Sequence, residues 1–222
     1  MPILKPQTKW EDLYYYRKSV VLYQMTVAFC RRFLPARGDR TVDQMVQAAR
    51  SGKQNIVEGL ADGVASTEME LKLLNVARAS LKELKEDYLD YLAAHSLPRW
   101  KAGHPRYDAL LAFCRTHNDL PDYEPHFAVW SAEETANCAV TLCHMVGKML
   151  TTTLAKKERD FAENGGIRER MTAARLVRRR AQNEEIAALR ARLAALEAEN
   201  AALRARLAEA PAKYWNSRFL ES

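Results

Sequence analysis

The chain has 222 residues, 48% of them apolar, so it can fill one ordinary domain and carry an extension. Eight prolines and eight glycines are few for that length, and they cluster between long periodic runs, which points to an all-α protein. The net charge of +6 suits a polyanionic partner without requiring one. The polar N-terminus "MPILKPQTKWEDLYYY" has no apolar leader core, and no uninterrupted apolar run reaches the ~18 residues of a membrane helix. Cys30, Cys114, Cys138 and Cys143 form no CxxC pair, so reduced buried thiols in a cytoplasmic protein are expected.

A first helix is predicted from about Trp10 to Leu34, with Leu13, Val20, Val27, Cys30 and Leu34 as its buried stripe. "LPARGDR" breaks it. Thr41 is placed to cap a second helix, with Gln44 as its capping-box partner. Val42, Met45, Val46, Ala49, Ile56 and Val57 carry the apolar face of that helix to about Ala61. Gly52 lies inside it, at a cost of about 1 kcal/mol against Ala. Two readings stay open: a site where a neighbouring helix approaches closely, or a bare backbone surface flanked by Arg50 and Lys53 that meets phosphate.

After the turn "ADGVAS", Ser66 or Thr67 caps a third helix running to about His95, with Leu71, Leu74, Leu81, Leu84, Tyr88 and Tyr91 inward. Glu58 is expected near Arg78 as a structural ion pair. The proline-rich stretch from Ser96 to Phe127 reads as an irregular crossover with one short helix near Tyr107–Thr116. Its aromatic residues would anchor the loop. His104, His117 and His126 fall there with Cys114, but no metal-ligand spacing is recognisable. Tyr14, Tyr15 and Tyr16 stand at a helix start, where partial burial competes with stacking on bases. Ser131 caps a fourth long helix, with Val140, Cys143, Gly147, Leu150 and Leu154 on its face, ended by Asn164-Gly165-Gly166. Long helices joined mostly by short turns predict an antiparallel four-helix bundle over residues 1–166.

Composition then changes. Residues 167–182 read as a basic helix in which Arg168, Arg170, Arg175, Arg178, Arg179 and Arg180 face one acid, Glu169. Such spacing rewards contact with phosphate through charge and counterion release. Residues 183–210 read as a coiled coil: Ile186, Leu193, Asn200 and Leu207 share heptad position a, and Leu189, Leu196 and Leu203 share d. In a parallel homodimer Glu185 meets Arg190, Arg192 meets Glu197 and Glu199 meets Arg204, all opposite in sign. Asn200 at an a position favours two strands in register. Pro211 is expected to end the helix, leaving 211–222 as a tail.

The runs "RTVDQMVQAARSGKQNIVEG" and "ELKLLNVARASLKELKEDYLDYL" resemble the four-helix-bundle proteins encoded in intervening sequences of large-subunit ribosomal RNA genes. The same superfamily includes the accessory variability determinant of diversity-generating retroelements. The resemblance is closest to the four helix bundle suffix domain subgroup, whose bundle also ends in a "GGIRERMTAAR"-like run, and it covers about Lys9 to Arg180. The heptad seam lies outside that pattern, as a lineage-specific extension or a fusion. Arg50, Lys53, Asn55, Glu58, Gly59 and Arg78 match family-typical positions, most of them as packing and helix-pair residues.

The resemblance implies a homo-oligomeric, basic, non-catalytic bundle with no catalytic residues to carry over; no cofactor is expected. In the retroelement relative, a pentameric barrel binds nucleic acid and a reverse transcriptase. An odd ring, however, cannot pair every seam within itself. The expected function is therefore a non-enzymatic accessory protein that holds RNA or DNA for a partner enzyme such as a reverse transcriptase, with no membrane component. The alternative is a protein-only assembly scaffold. The expected nucleic-acid contacts are the six arginines with Arg50 and Lys53.

Overall fold

The structure, a computed structural model, describes residues 9–35, 40–62 and 66–219. It is all-helical, with no strand among the described residues. The helices are α1 (Tyr14–Phe33), α2 (Arg40–Asp62), α3 (Thr67–Ala94), α4 (Tyr107–Thr116), α5 (Leu120–Tyr123), α6 (Ala132–Asn164) and α7 (Ile167–Phe219). Short 3-10 turns cover Trp10–Asp12 and Glu124–His126. The chain divides into two compact units, Met1–Arg168 and Glu169–Ser222.

In the first unit α1 packs on α2 and α6, and α3 packs on α2 and α6, so the contacts among the four long helices close into a cycle. Cap chemistry fixes several ends. Ser66 Oγ accepts from the Met69 amide at 3.2 Å and starts α3. Ser131 and Glu134 form a reciprocal capping box at the start of α6. Gly165, at φ +67°, ends α6 while its amide donates to Phe161 O at 2.9 Å.

Other ends differ from expectation. Leu13 adopts extended geometry, so Trp10–Asp12 is a separate turn and α1 begins at Tyr14. Thr41 lies inside α2, because the helix already begins at Arg40; the cap itself, and most of the two interhelical turns, lie outside the described residues. The backbone remains helical through Pro211 to Phe219. One proline removes a single hydrogen bond, and the alanines around it favour helix strongly. Residues 220–222 of the expected tail lie outside the described residues.

The core is built from Val21, Leu22, Met25 and Phe29 of α1, Met45, Ala49 and Ile56 of α2, Leu74, Leu81, Leu84 and Tyr88 of α3, and Leu142, Val146 and Leu150 of α6. The predicted stripe of α1 is thus rotated: Leu13, Val20, Val27 and Leu34 are only half-buried, and Cys30 alone of that set is buried. Three polar residues take the vacated inner positions of α1. Thr26 accepts from the Tyr88 hydroxyl at 3.0 Å while donating to Leu22 O at 2.7 Å. Ser19 bonds Tyr16 O. Lys18, 2% exposed, is held by the crossover.

Gly52 is buried, and a Cβ there would come within 2.6 Å of Leu81 Cδ2. Close approach of α2 to α3 is therefore the reason for the glycine. Its backbone is not a phosphate-facing surface. Ala132–Ala208, which spans α6 and most of α7, holds an 18-residue window of mean hydropathy 1.2, enough by length and composition to cross a membrane, and 44% of that window is buried.

Candidate nucleic-acid interface

α7 is an uninterrupted helix of 53 residues, rich in Ala, Leu, Glu and Arg, the strongest helix formers. Arg168, Arg175, Arg178, Arg179 and Arg180 are exposed, and Arg170 is half-buried. Leu176 and Val177 among them are exposed too. Further along, the whole seam is exposed: Ile186 is 47%, Leu189 61%, Leu193 57%, Leu196 49% and Leu203 53% accessible, with Asn200 also exposed. Leu207 is the most exposed of the set. Six large apolar side chains on one helical line, all accessible, are a surface that another chain can cover.

Arg50 and Lys53 belong to the first unit. Arg50 is exposed, whereas Lys53 lies half-buried with its ammonium 4.7 Å from the centre of the Tyr23 ring. A groove between α2 and α3, which neither of them lines, carries the opposite charge. Its volume is about 640 Å³, and Arg40 is joined there by Asp43, Glu83 and Asp87. Burial, with Asp90 and Glu83 nearby, raises the Asp87 carboxyl above its ordinary value. Such a groove repels a polyanion.

The expected Glu58–Arg78 pair is absent from the described contacts. Arg78 donates instead to Asn75 Oδ1 at 2.7 Å and reaches Thr151 Oγ1 on α6 at 3.4 Å. An ion pair joins Lys157 of α6 to Glu70 of α3.

The crossover is better organised than its prolines imply. Besides α4 it contains α5, where the Asp122 carboxylate accepts from the Asn118 and Asp119 amides at 3.2 and 3.1 Å. Asp119 pairs with Arg17. Lys18 Nζ donates to Cys114 O and, at 2.8 Å, to His117 O; burial lowers its pKa below the usual amine value. The Trp100 amide and indole donate to Asn137 and Glu133 of α6 at 2.6 and 2.7 Å. His104 stacks on Trp100, His117 on Phe113 and His126 on Trp130. The histidine rings are thus partners of aromatic anchors, and no cluster of three or more metal-ligating side chains occurs among the described residues. Tyr15 is buried, Tyr16 half-buried and Tyr14 exposed. All four cysteines are buried and unbridged, with the sulfurs of Cys114 and Cys138 3.8 Å apart.

Sequence reasoning missed Lys18, a buried cation in the middle of a helix with no local signal for its carbonyl partners. No family model, curated protein or solved structure matches the chain.

Proposed function

We propose that the protein is a non-enzymatic, homo-oligomeric accessory protein that binds nucleic acid through the arginines of α7. The observation that carries this reading is the exposure of Arg175, Arg178, Arg179 and Arg180 in a stretch of α7, residues 168–180, whose one acid is Glu169. Five net positive charges over thirteen residues fit a phosphate backbone better than a protein surface without counter-charge. In this reading α1, α2, α3 and α6 form an antiparallel four-helix bundle, supported by their cyclic contacts. The exposed heptads form a parallel coiled coil with a second copy, supported by the matched g and e charges. The resemblance to ribosomal-RNA intervening-sequence and retroelement accessory proteins supports a partner enzyme such as a reverse transcriptase. The four unbridged cysteines support a cytoplasmic setting.

The test is binding as a function of salt. Replacing Arg175, Arg178, Arg179 and Arg180 by Gln should weaken binding to every sequence and flatten the slope of log K against log salt by roughly 0.7–0.9 per lost phosphate contact. Unchanged affinity and slope in an intact oligomer refute the reading. The second reading, a protein-only scaffold, draws on the exposed seam from Ile186 to Leu207; it predicts assembly with no salt-dependent affinity for nucleic acid.

A further inference from the structure

The arginine run and the leucine seam are not merely consecutive. They share one helix without a break, Ile167–Phe219, so the heptad frame of the seam can be counted backwards into the arginines. One heptad before Ile186 the a position is Arg179. One heptad before Leu189 the d position is Gln182, and two heptads before it the d position is Arg175. Arg178, at g, lies along the edge of the same face. The side of α7 that would meet a partner helix is therefore apolar from Ile186 onward, save Asn200, and polar before it, with Arg168, Arg175 and Arg179 alongside Thr172 and Gln182.

In a parallel pair of tails this arrangement has one physical outcome. From Ile186 to Leu207 the two helices close over their apolar seam, in register through Asn200 and the opposite g and e charges. Before Ile186 the same closure would set Arg179 against Arg179 and Arg175 against Arg175, like charges at the positions of closest approach. Such a pair would be driven apart there, its inner faces becoming two positively charged arms.

We infer that these arms form a fork that grips double-stranded DNA, one arginine helix in the major groove on each side of the duplex. The inference rests on the nucleic-acid reading above and adds the class of nucleic acid and the geometry. An α-helix is about 10–12 Å across with its side chains, and the major groove of B-form DNA is about 12 Å wide. The major groove of A-form RNA is too deep and narrow for it. Single strands are held by aromatic side chains that stack on bases, and α7 has no Phe, Tyr or Trp between Ile167 and Leu207. Continuous basic helices diverging from a parallel coiled coil are a known solution to duplex recognition.

The experiment uses the full-length protein and fluorescence anisotropy at fixed salt. The probes are a mixed-sequence DNA duplex of about two helical turns, an RNA duplex of the same sequence, and the single DNA strand. The DNA duplex should bind at least about tenfold more tightly than either of the others. The variant Leu189→Lys/Leu196→Lys, at exposed positions, should lose at least about tenfold in affinity for the DNA duplex while its arginines are untouched, because the two arms no longer bind as one unit. Leu196→Cys should cross-link tail to tail, as a parallel register requires. Equal or tighter binding of the RNA duplex or the single strand overturns the fork and leaves the nucleic-acid reading standing. Full duplex affinity in the seam variant, or no cross-link at Leu196→Cys with and without DNA, overturns it as well. Binding to none of the three probes overturns both.

Discussion

Leucine has opposite fates in the two units. In the first unit Leu22, Leu74, Leu84 and Leu142 are fully buried in one hydrophobic cluster drawn from α1, α2, α3 and α6. In α7, Leu189, Leu193, Leu196 and Leu203 stay largely accessible although their spacing is as regular. In α7 the heptad pattern marks the face the helix offers; whether the chain itself covers that face is a separate matter. The first unit is held by tertiary packing. α7 is held by intrinsic helix propensity, and a helix of that kind gains most of its stability when a partner covers its stripe.

The sharpest way to break this comparison is to make the same truncation in both places. Leu84→Ala should destabilise the first unit by about 2–5 kcal/mol through lost contacts and a residual cavity. Leu196→Ala should leave its melting temperature unchanged and instead lower the oligomer mass, or weaken association, in sedimentation. If Leu196→Ala melts the first unit as severely as Leu84→Ala, the division between a self-covered core and a partner-covered stripe is wrong.

A smaller effect tests how tightly the first unit is packed. Gly52→Ala sets a methyl group against Leu81, where a Cβ falls 2.6 Å from Cδ2; the overpacking should cost about 1–3 kcal/mol, offset in part by the roughly 1 kcal/mol that Ala gains over Gly in a helix. In a Leu81→Ala background the obstacle is gone, so the same substitution should be much less damaging. Denaturant melts of the four proteins in that cycle give the coupling directly. Additive costs would mean that Gly52 is not in its place because of Leu81.

What the sequence made legible was mostly local. The starts of α3 and α6 follow from Ser66 and from Ser131 with Glu134, and the end of α6 follows from Gly165, because a cap is completed within a few residues. The bounds of α4 were equally readable. The buried face of α1 was not. Lys18 and Thr26 look like solvent residues until Cys114, His117 and Tyr88 arrive from far along the chain to satisfy them. The partner of Arg78 was misread for the same reason: the register of α3 on α6 decides it, and no local pattern encodes that register. α5 had a usable signal in Asp119, Pro121 and Asp122 that the surrounding prolines concealed. For the candidate interface, exposure of the arginines and leucines agrees with the composition of α7, and the continuity of the helix is what ties one to the other.

The smallest expected effect concerns the charge on the groove between α2 and α3, the counterpoint to the basic arm of α7. Asp87 shares this groove with Asp43 and Glu83, and burial followed by repulsion from Asp90 and Glu83 raises its pKa. A carboxyl raised in the folded state releases its proton later than the same group in the unfolded chain, whose value is about 3.9. As pH rises through that interval the unfolded state ionises first, so stability is lost until Asp87 itself ionises, and the loss persists at neutral pH. Asp87→Asn removes the ionisation without changing shape. It should raise the melting temperature slightly at pH 7 and have no such effect at a pH below the unfolded value. Arg40 lines the same groove and screens part of the repulsion, and the site is open to solvent, so a shift of small size is expected. A melting temperature at pH 7 that stays level or falls on Asp87→Asn would show that Arg40 already neutralises the groove, and the contrast between an acidic first unit face and a basic α7 would then rest on α7 alone.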